Sequence, residues 1–205
     1  MHIPEIFSEH DAAEIVRLIS AHPLASIVYA KDSGVDAEHV PLIFDGEHRL
    51  IGHFAANNAV TKTLGDGHAV LAIFSGQDSY ISPNWYPTKA EHHRHVPTWN
   101  FQKIHIYGRI NFLTDDKSAR AVVGKLTKHF ETLTNGKQAW KMSDAPADYM
   151  NELLSKISPF TIAIDRIEAK SKVSQNRVAV DYQSVISVME SNGRLELADR
   201  MKSLK

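Results

Sequence analysis

Short apolar strands lie side by side early in this chain, before any regular alternation with helices. "LASIVYA" is followed by the turn "KDSGVDAE", and "HVPLIFDGEHRLIGHFA" reads as two strands hinged near Asp45-Gly46. A parallel doubly wound sheet needs strand–helix alternation throughout, and this order lacks it. Further strands are predicted at "HAVLAIFSG", "KIHIYGRINFL" and "FTIAIDRIEAK". In the second of these, Ile104, Ile106, Ile110 and Phe112 keep even spacing around Gly108, the period of a strand with one buried face. Helices enter as inserts. The first is "FSEHDAAEIVRLISAHP", with Ser8 as its N-cap and Pro23 as its stop. "NNAVTKTLG", "KSARAVVGKLTKHFE" and "PADYMNELLSKI" follow, and the tail is helical on both sides of Asn192-Gly193. The expectation is a mainly β fold with peripheral helices (α+β), an antiparallel barrel. One domain covers residues 1–190, and 191–205 form a helical tail packed on it.

Composition narrows the function. With 43% hydrophobic and 23% charged residues the 205-residue chain reads as an ordinary soluble domain with one sizeable core. No apolar run reaches the length of a membrane span, and "MHIPEIFSEHD" lacks the pattern of a secretory signal. The absence of cysteine removes disulfides, thiolate metal sites and cysteine nucleophiles, and fits a cytoplasmic setting. A net charge of −1 argues against a large nucleic-acid surface. That total hides an asymmetry: residues 1–100 hold 6 Lys/Arg against 12 Asp/Glu, and residues 101–205 hold 17 against 12. The densest basic cluster, "RIEAKSKVSQNR", carries Arg166, Lys170, Lys172 and Arg177. It is enough for one anionic group, or it is a solvated strand.

Several chemistries have no foothold. The ten glycines are scattered singly, so neither a phosphate loop nor a dinucleotide fingerprint is present, and no Gly-x-Ser-x-Gly elbow occurs. The distinctive stretch is "YISPNWYPTKAEHHRHVPTWN", with Trp85 and Trp99, three prolines and His92, His93 and His95. Glu91 and His95 stand four residues apart, a spacing that metal sites use on helices, but Pro87 and Pro97 make this segment a loop. A flat cofactor fits the stretch better: the indoles can wall an aromatic ring system while the prolines hold the loops. Alternatively, both indoles simply fill a core. Asn100 beside Trp99, with Gln175, Asn176 and Arg177, offers donors and acceptors for the edge of a flavin ring, and Lys89, Lys170, Lys172 or Arg177 suits its phosphate.

Three blocks, "GHFAANN", "YISPNWYPTKAEHHRHVPTWN" and "KSKVSQNR", resemble those of the PaiB-like, FMN-binding negative transcriptional regulators, in the same order and spacing. The resemblance runs from "MHIPEIF" to about Glu190. It implies an FMN-binding split β-barrel of the pyridoxamine-phosphate-oxidase-like type, a homodimer, and FMN in clefts between subunits. By the same resemblance His53, Asn57 and Asn58 occupy the strand–helix junction where related barrels hold the FMN phosphate. Those barrels place an Arg-Lys pair near Asn57 and Asn58, so oxidase chemistry is not implied. Neutral amides grip an anion less firmly, and helix N-terminal amides with Lys89 or Lys172 would compensate. The implied function is a flavin-carrying sensor or regulator, or a flavin-dependent reductase. Two alternatives stand beside it: a haem- or metal-binding barrel using the histidines, and a DNA-binding repressor. For the latter, the tail around Gly193 is the one helix–turn–helix candidate, and its Leu195, Leu197, Ala198, Met201 and Leu204 look like a packing stripe.

Overall fold

Asp11, not Ser8, starts the first helix: its Oδ1 accepts the Ala13 amide at 2.9 Å, and its carbonyl accepts from Ile15. Ser8 instead closes a 3-10 turn and makes an isolated bridge to Lys170. That partner lies far along the chain, which is why a local capping pattern misreads it. The structure is a computed structural model that describes residues 1–204. In chain order it contains α1 (Ala12–Ala21), β1 (Leu24–Lys31), β2 (Gly34–Pro41), β3 (Ile43–Phe44), β4 (Arg49–Ala55), α2 (Val60–Thr63) and β5 (His68–Ile81). Then follow α3 (Lys89–His92), β6 (Thr98–Phe112), α4 (Asp116–Asn135), α5 (Ala147–Leu154), β7 (Ile157–Lys172), α6 (Ala179–Ser191) and α7 (Leu195–Ser203).

The seven strands form one sheet in the order β2-β1-β5-β6-β7-β4-β3. β1 and β2 are a hairpin whose register runs from Leu24 opposite Pro41 to Lys31 opposite Gly34. β4 pairs antiparallel with β7, from Arg49 opposite Ala163 to Ala55 opposite Ile157. The predicted mainly β framework with inserted helices is therefore the observed one. β5 runs well past Gly76, where "HAVLAIFSG" breaks off. A Cβ at Gly76 would lie 3.1 Å from Leu18 Cδ1 and 3.3 Å from Gln102 Cβ, so this glycine allows a close approach inside a strand rather than a turn.

The chain gathers into two compact units, each assembled from separated segments. The first comprises Met1–Ala21, Phe74–His105 and Glu168–Lys205; the second comprises His22–Ile73 and Ile106–Ile167. In the second unit Ile43, Ile51, Val122 and Leu126 form a buried cluster, and the Phe54 and Phe160 rings stack with centroids 4.5 Å apart. α4 is held there at its start by Asp115, whose Oδ1 accepts the Ser118 amide at 2.9 Å. In the first unit the core is Ile81, Tyr86, Val173, Tyr182, Val185, Ile186, Met189, Leu197, Ala198 and Met201. The apolar stripe of the tail is thus mostly core, while Leu195 and Leu204 remain exposed. Tyr182 donates its hydroxyl to the Met201 carbonyl at 2.8 Å, which ties α6 to α7, and burial pushes its pKa up to about 12.

Candidate functional site

The end of β7 and the turn after it bring three cations together. Lys170, Lys172 and Arg177 lie close enough that burial, then the charges of Lys170 and Arg177, depress the ammonium pKa of Lys172. Lys172 donates to the Thr98 hydroxyl at the start of β6. Lys170 donates to the His2 carbonyl at 3.0 Å and lies over the Phe101 ring. Among the described residues none of the three meets a carboxylate. Crowded, partly desolvated cations without a counter-charge repel one another, and an arriving anion relieves that repulsion.

The turn is fixed by buried amides and a strained residue. Ser174 has φ +65° although it is not glycine, and it is buried. Gln175 folds back on its own strand end: its Oε1 accepts the Val173 amide at 2.8 Å and its Nε2 donates to the Ser171 carbonyl. Asn176 is exposed at the tip of the turn. Asn100 is wholly buried, with its Oδ1 accepting from Ser174 and its Nδ2 facing Met201 Sδ at 4.0 Å. Its neighbour Trp99 is the opposite case. That indole is 53% exposed and stands edge-on to Tyr80, itself 46% exposed, with centroids 6.0 Å apart. Trp99 is no core residue of the chain. Trp85 packs beside the first unit's core, and its carbonyl accepts from Ser184 at 2.6 Å.

The histidine-rich segment has a mixed outcome. Pro83–Trp85 forms a 3-10 turn and Lys89–His92 the short α3, so a turn of helix interrupts the expected loop. His92 and His93 are exposed, with His93 in the left-handed region at φ +53°. Lys89 donates to Asn84 Oδ1 at 2.5 Å and stays on the surface. His95 turns inward. Its Nε2 lies 2.8 Å from the Thr88 hydroxyl, its Nδ1 lies 3.2 Å from Arg177 Nη1, and its ring packs on Tyr86 at 4.7 Å. Asp181, in the first turn of α6 and 1% exposed, accepts from both the amide and the hydroxyl of Thr88. Thr88, Tyr86 and Asp181 were not legible as site residues. The one signal was an acidic residue in the first turn of a helix, and its partners stand 93 residues away.

The other expected residues lie in the second unit. His53 is half-buried on β4, and burial lowers its pKa. Asn58 starts α2: its Oδ1 accepts the Val60 amide at 3.0 Å and its carbonyl accepts from Thr61. Asn57 is exposed beside it. No group of three His, Cys, Asp or Glu side chains among the described residues is placed to hold a metal ion.

These features define a split-barrel protein with an uncompensated cationic turn beside exposed aromatic rings. Residues 1–166 match the family described as "Putative FMN-binding domain", and the chain belongs to that family. The chain is 31% identical over 194 residues to "Protease synthase and sporulation protein PAI 2" of Bacillus subtilis, covering 93% of this chain and 90% of that one. An uncharacterized protein of Saccharomyces cerevisiae is 42% identical over 90 residues, covering 42% of this chain and 53% of its own. Among solved structures, the flavocytochrome Anf3 from Azotobacter vinelandii has a TM-score of 0.63 at 12% identity, covering 89% of this chain and 78% of that one. The FAD and haem binding protein from Mycobacterium smegmatis has a TM-score of 0.59 at 14% identity, covering 80% and 73%. At such identities these neighbours speak for the fold.

Proposed function

We propose that this protein is a flavin-carrying regulator that binds FMN, with the phosphate on Lys170, Lys172 and Arg177 and the ring system against Trp99. The observation that carries the reading is the desolvated Lys172 crowded by two more cations with no carboxylate among them. A phosphomonoester supplies the missing charge and several acceptor oxygens. Trp99 and Tyr80 supply exposed aromatic surface in the same unit. Bound FMN would contribute the electron-accepting ring; the chain's part is to hold its charge and shield one face.

Two competing readings are less well supported. Both ring nitrogens of His95 are engaged, by Thr88 and Arg177, which leaves it no lone pair for haem iron. As a DNA reader, α7 has its Leu197, Ala198 and Met201 in the core. Its Arg200 faces Glu9 and Glu14, and its Lys202 faces Glu190 and Asp199. Regulation would therefore pass through the flavin state rather than through direct base reading. We further propose a homodimer, since Tyr80, Val96 and Trp99 leave apolar surface on the first unit that a second copy would cover.

Absorbance of the protein purified without added flavin, followed by FMN titration with fluorescence detection, tests the reading. The expected result is a flavin spectrum, or saturable quenching at one FMN per chain. A Soret band, or no perturbation of FMN at any concentration, overturns it.

A further inference from the structure

Asp181, Thr88, His95 and Arg177 form a chain of hydrogen bonds whose direction is forced from both ends. An ionised carboxylate only accepts, so the Thr88 hydroxyl donates to Asp181 Oδ2, at 2.7 Å. A guanidinium only donates, so Arg177 Nη1 donates to His95 Nδ1, at 3.2 Å. The Thr88 hydroxyl has one proton, already given to Asp181, and its oxygen must accept from His95 Nε2 at 2.8 Å. The imidazole thereby presents an Nε2 proton to Thr88 and an Nδ1 lone pair to Arg177. A proton on Nδ1 would point an N–H at the guanidinium.

Tyr86 and His95 also confine Arg177 sterically. Its Cζ lies 4.6 Å from the centroid of the Tyr86 ring, and the His95 ring packs on that same tyrosine. Tyr86 is buried, and so are the side chains of His95 and Asp181. One N–H of the guanidinium is used on His95; the others remain for a ligand, with no carboxylate competing. A long arginine at the rim of an anion site ordinarily loses rotamer freedom when it binds. Here that freedom is already removed by a buried network.

We propose that His95, anchored through Thr88 to Asp181, is a positioning residue that holds Arg177 in place for the phosphate of FMN and so sets the preference for FMN over riboflavin. The proposal rests on the flavin reading above. It assigns the histidine a role that is neither metal binding nor ring stacking, and it makes Asp181, on another element, part of phosphate recognition.

The test compares FMN with riboflavin, which share the ring and differ in the phosphate. Affinities for both are measured by flavin fluorescence in the parent and in His95→Leu, His95→Gln and Arg177→Ala. Arg177→Ala should lose on the order of ten-fold or more in FMN affinity with riboflavin affinity unchanged. His95→Leu should lose about ten-fold for FMN alone, and His95→Gln, which offers an acceptor and a donor, should recover most of it. Equal losses for FMN and riboflavin in His95→Leu would mean a merely structural histidine and overturn the proposal. So would an unchanged FMN affinity in His95→Leu while Arg177→Ala is impaired. If Arg177→Ala and Lys172→Glu both bind FMN like the parent, the phosphate assignment itself fails.

Discussion

Ser174 donates its hydroxyl to Asn100 Oδ1 at 3.0 Å, and the carbonyl of that same serine accepts the Arg177 amide at 3.0 Å. One buried carboxamide on β6 thus supports the turn that carries the cationic site. Asn100→Leu leaves the Ser174 hydroxyl buried without its acceptor and should cost about 1–3 kcal/mol. Urea denaturation checks the stability. FMN affinity should fall as well, because the left-handed residue loses its support. A variant as stable as the parent would show that Asn100 does not hold the turn.

Lys172 gives a signed pH dependence. Its ammonium pKa is depressed in the folded chain, so the fold disfavours the proton below that value and the penalty is relieved as pH rises through it. The charged form is the one that holds a phosphate. FMN affinity should therefore decline with rising pH, starting below the ordinary lysine range. In Lys172→Arg the decline should vanish, since arginine stays charged. Identical profiles in the two proteins would remove Lys172 from the site. Lys172→Glu should weaken FMN binding at neutral pH while the thermal midpoint stays near the parent's.

Trp99 separates stability from binding. The indole is more than half exposed and stands edge-on to Tyr80, so Trp99→Phe should change stability by less than about 0.5 kcal/mol. Flavin affinity should fall several-fold as stacking area is lost. Calorimetry and flavin titration on one sample decide it: a destabilised variant with intact flavin affinity would sink the assignment.

Gly108 tests the sheet. A Cβ there would lie 2.3 Å from the Ala163 carbonyl oxygen and 2.7 Å from Ile162 Cγ2, and a backbone atom cannot step aside as a side chain can. Gly108→Ala should destabilise by about 1–3 kcal/mol or more, read as a lower denaturation midpoint. A neutral result would mean that the β6 and β7 backbones lie farther apart there.

The alternating residues of "KIHIYGRINFL" announced a strand, and Ile104, Ile106 and Ile110 are buried as that pattern requires. The longer helices were equally legible, because α1 and α4 carry apolar stripes that bury Leu18 and Ile19, and Val122 and Leu126; the short α3, with no buried residue, was not. What escaped was whatever depended on a distant partner. Gly76 looked like a terminator because Leu18 and Gln102, which need its bare backbone, are invisible in a local window. Asn100 and Gln175 looked like ligand amides because nothing nearby in sequence reveals that one faces Ser174 and the other its own strand. His95 stood among surface histidines, and only the fold shows it turned toward Asp181 and Arg177.

Glu9 meets Arg200 across 191 residues of chain, and Ser171 and Gln102 complete the same buried network through Glu9 and Glu14. A ribosome releases the glutamates well before the arginine, at roughly 5–20 residues per second. For an interval on the order of ten seconds the emerging chain must keep two carboxylates and the apolar face of α1 waiting for their partners. The first unit closes only once Arg200 has emerged, so its vulnerability to aggregation is set by translation speed and by whatever shelters the waiting segment.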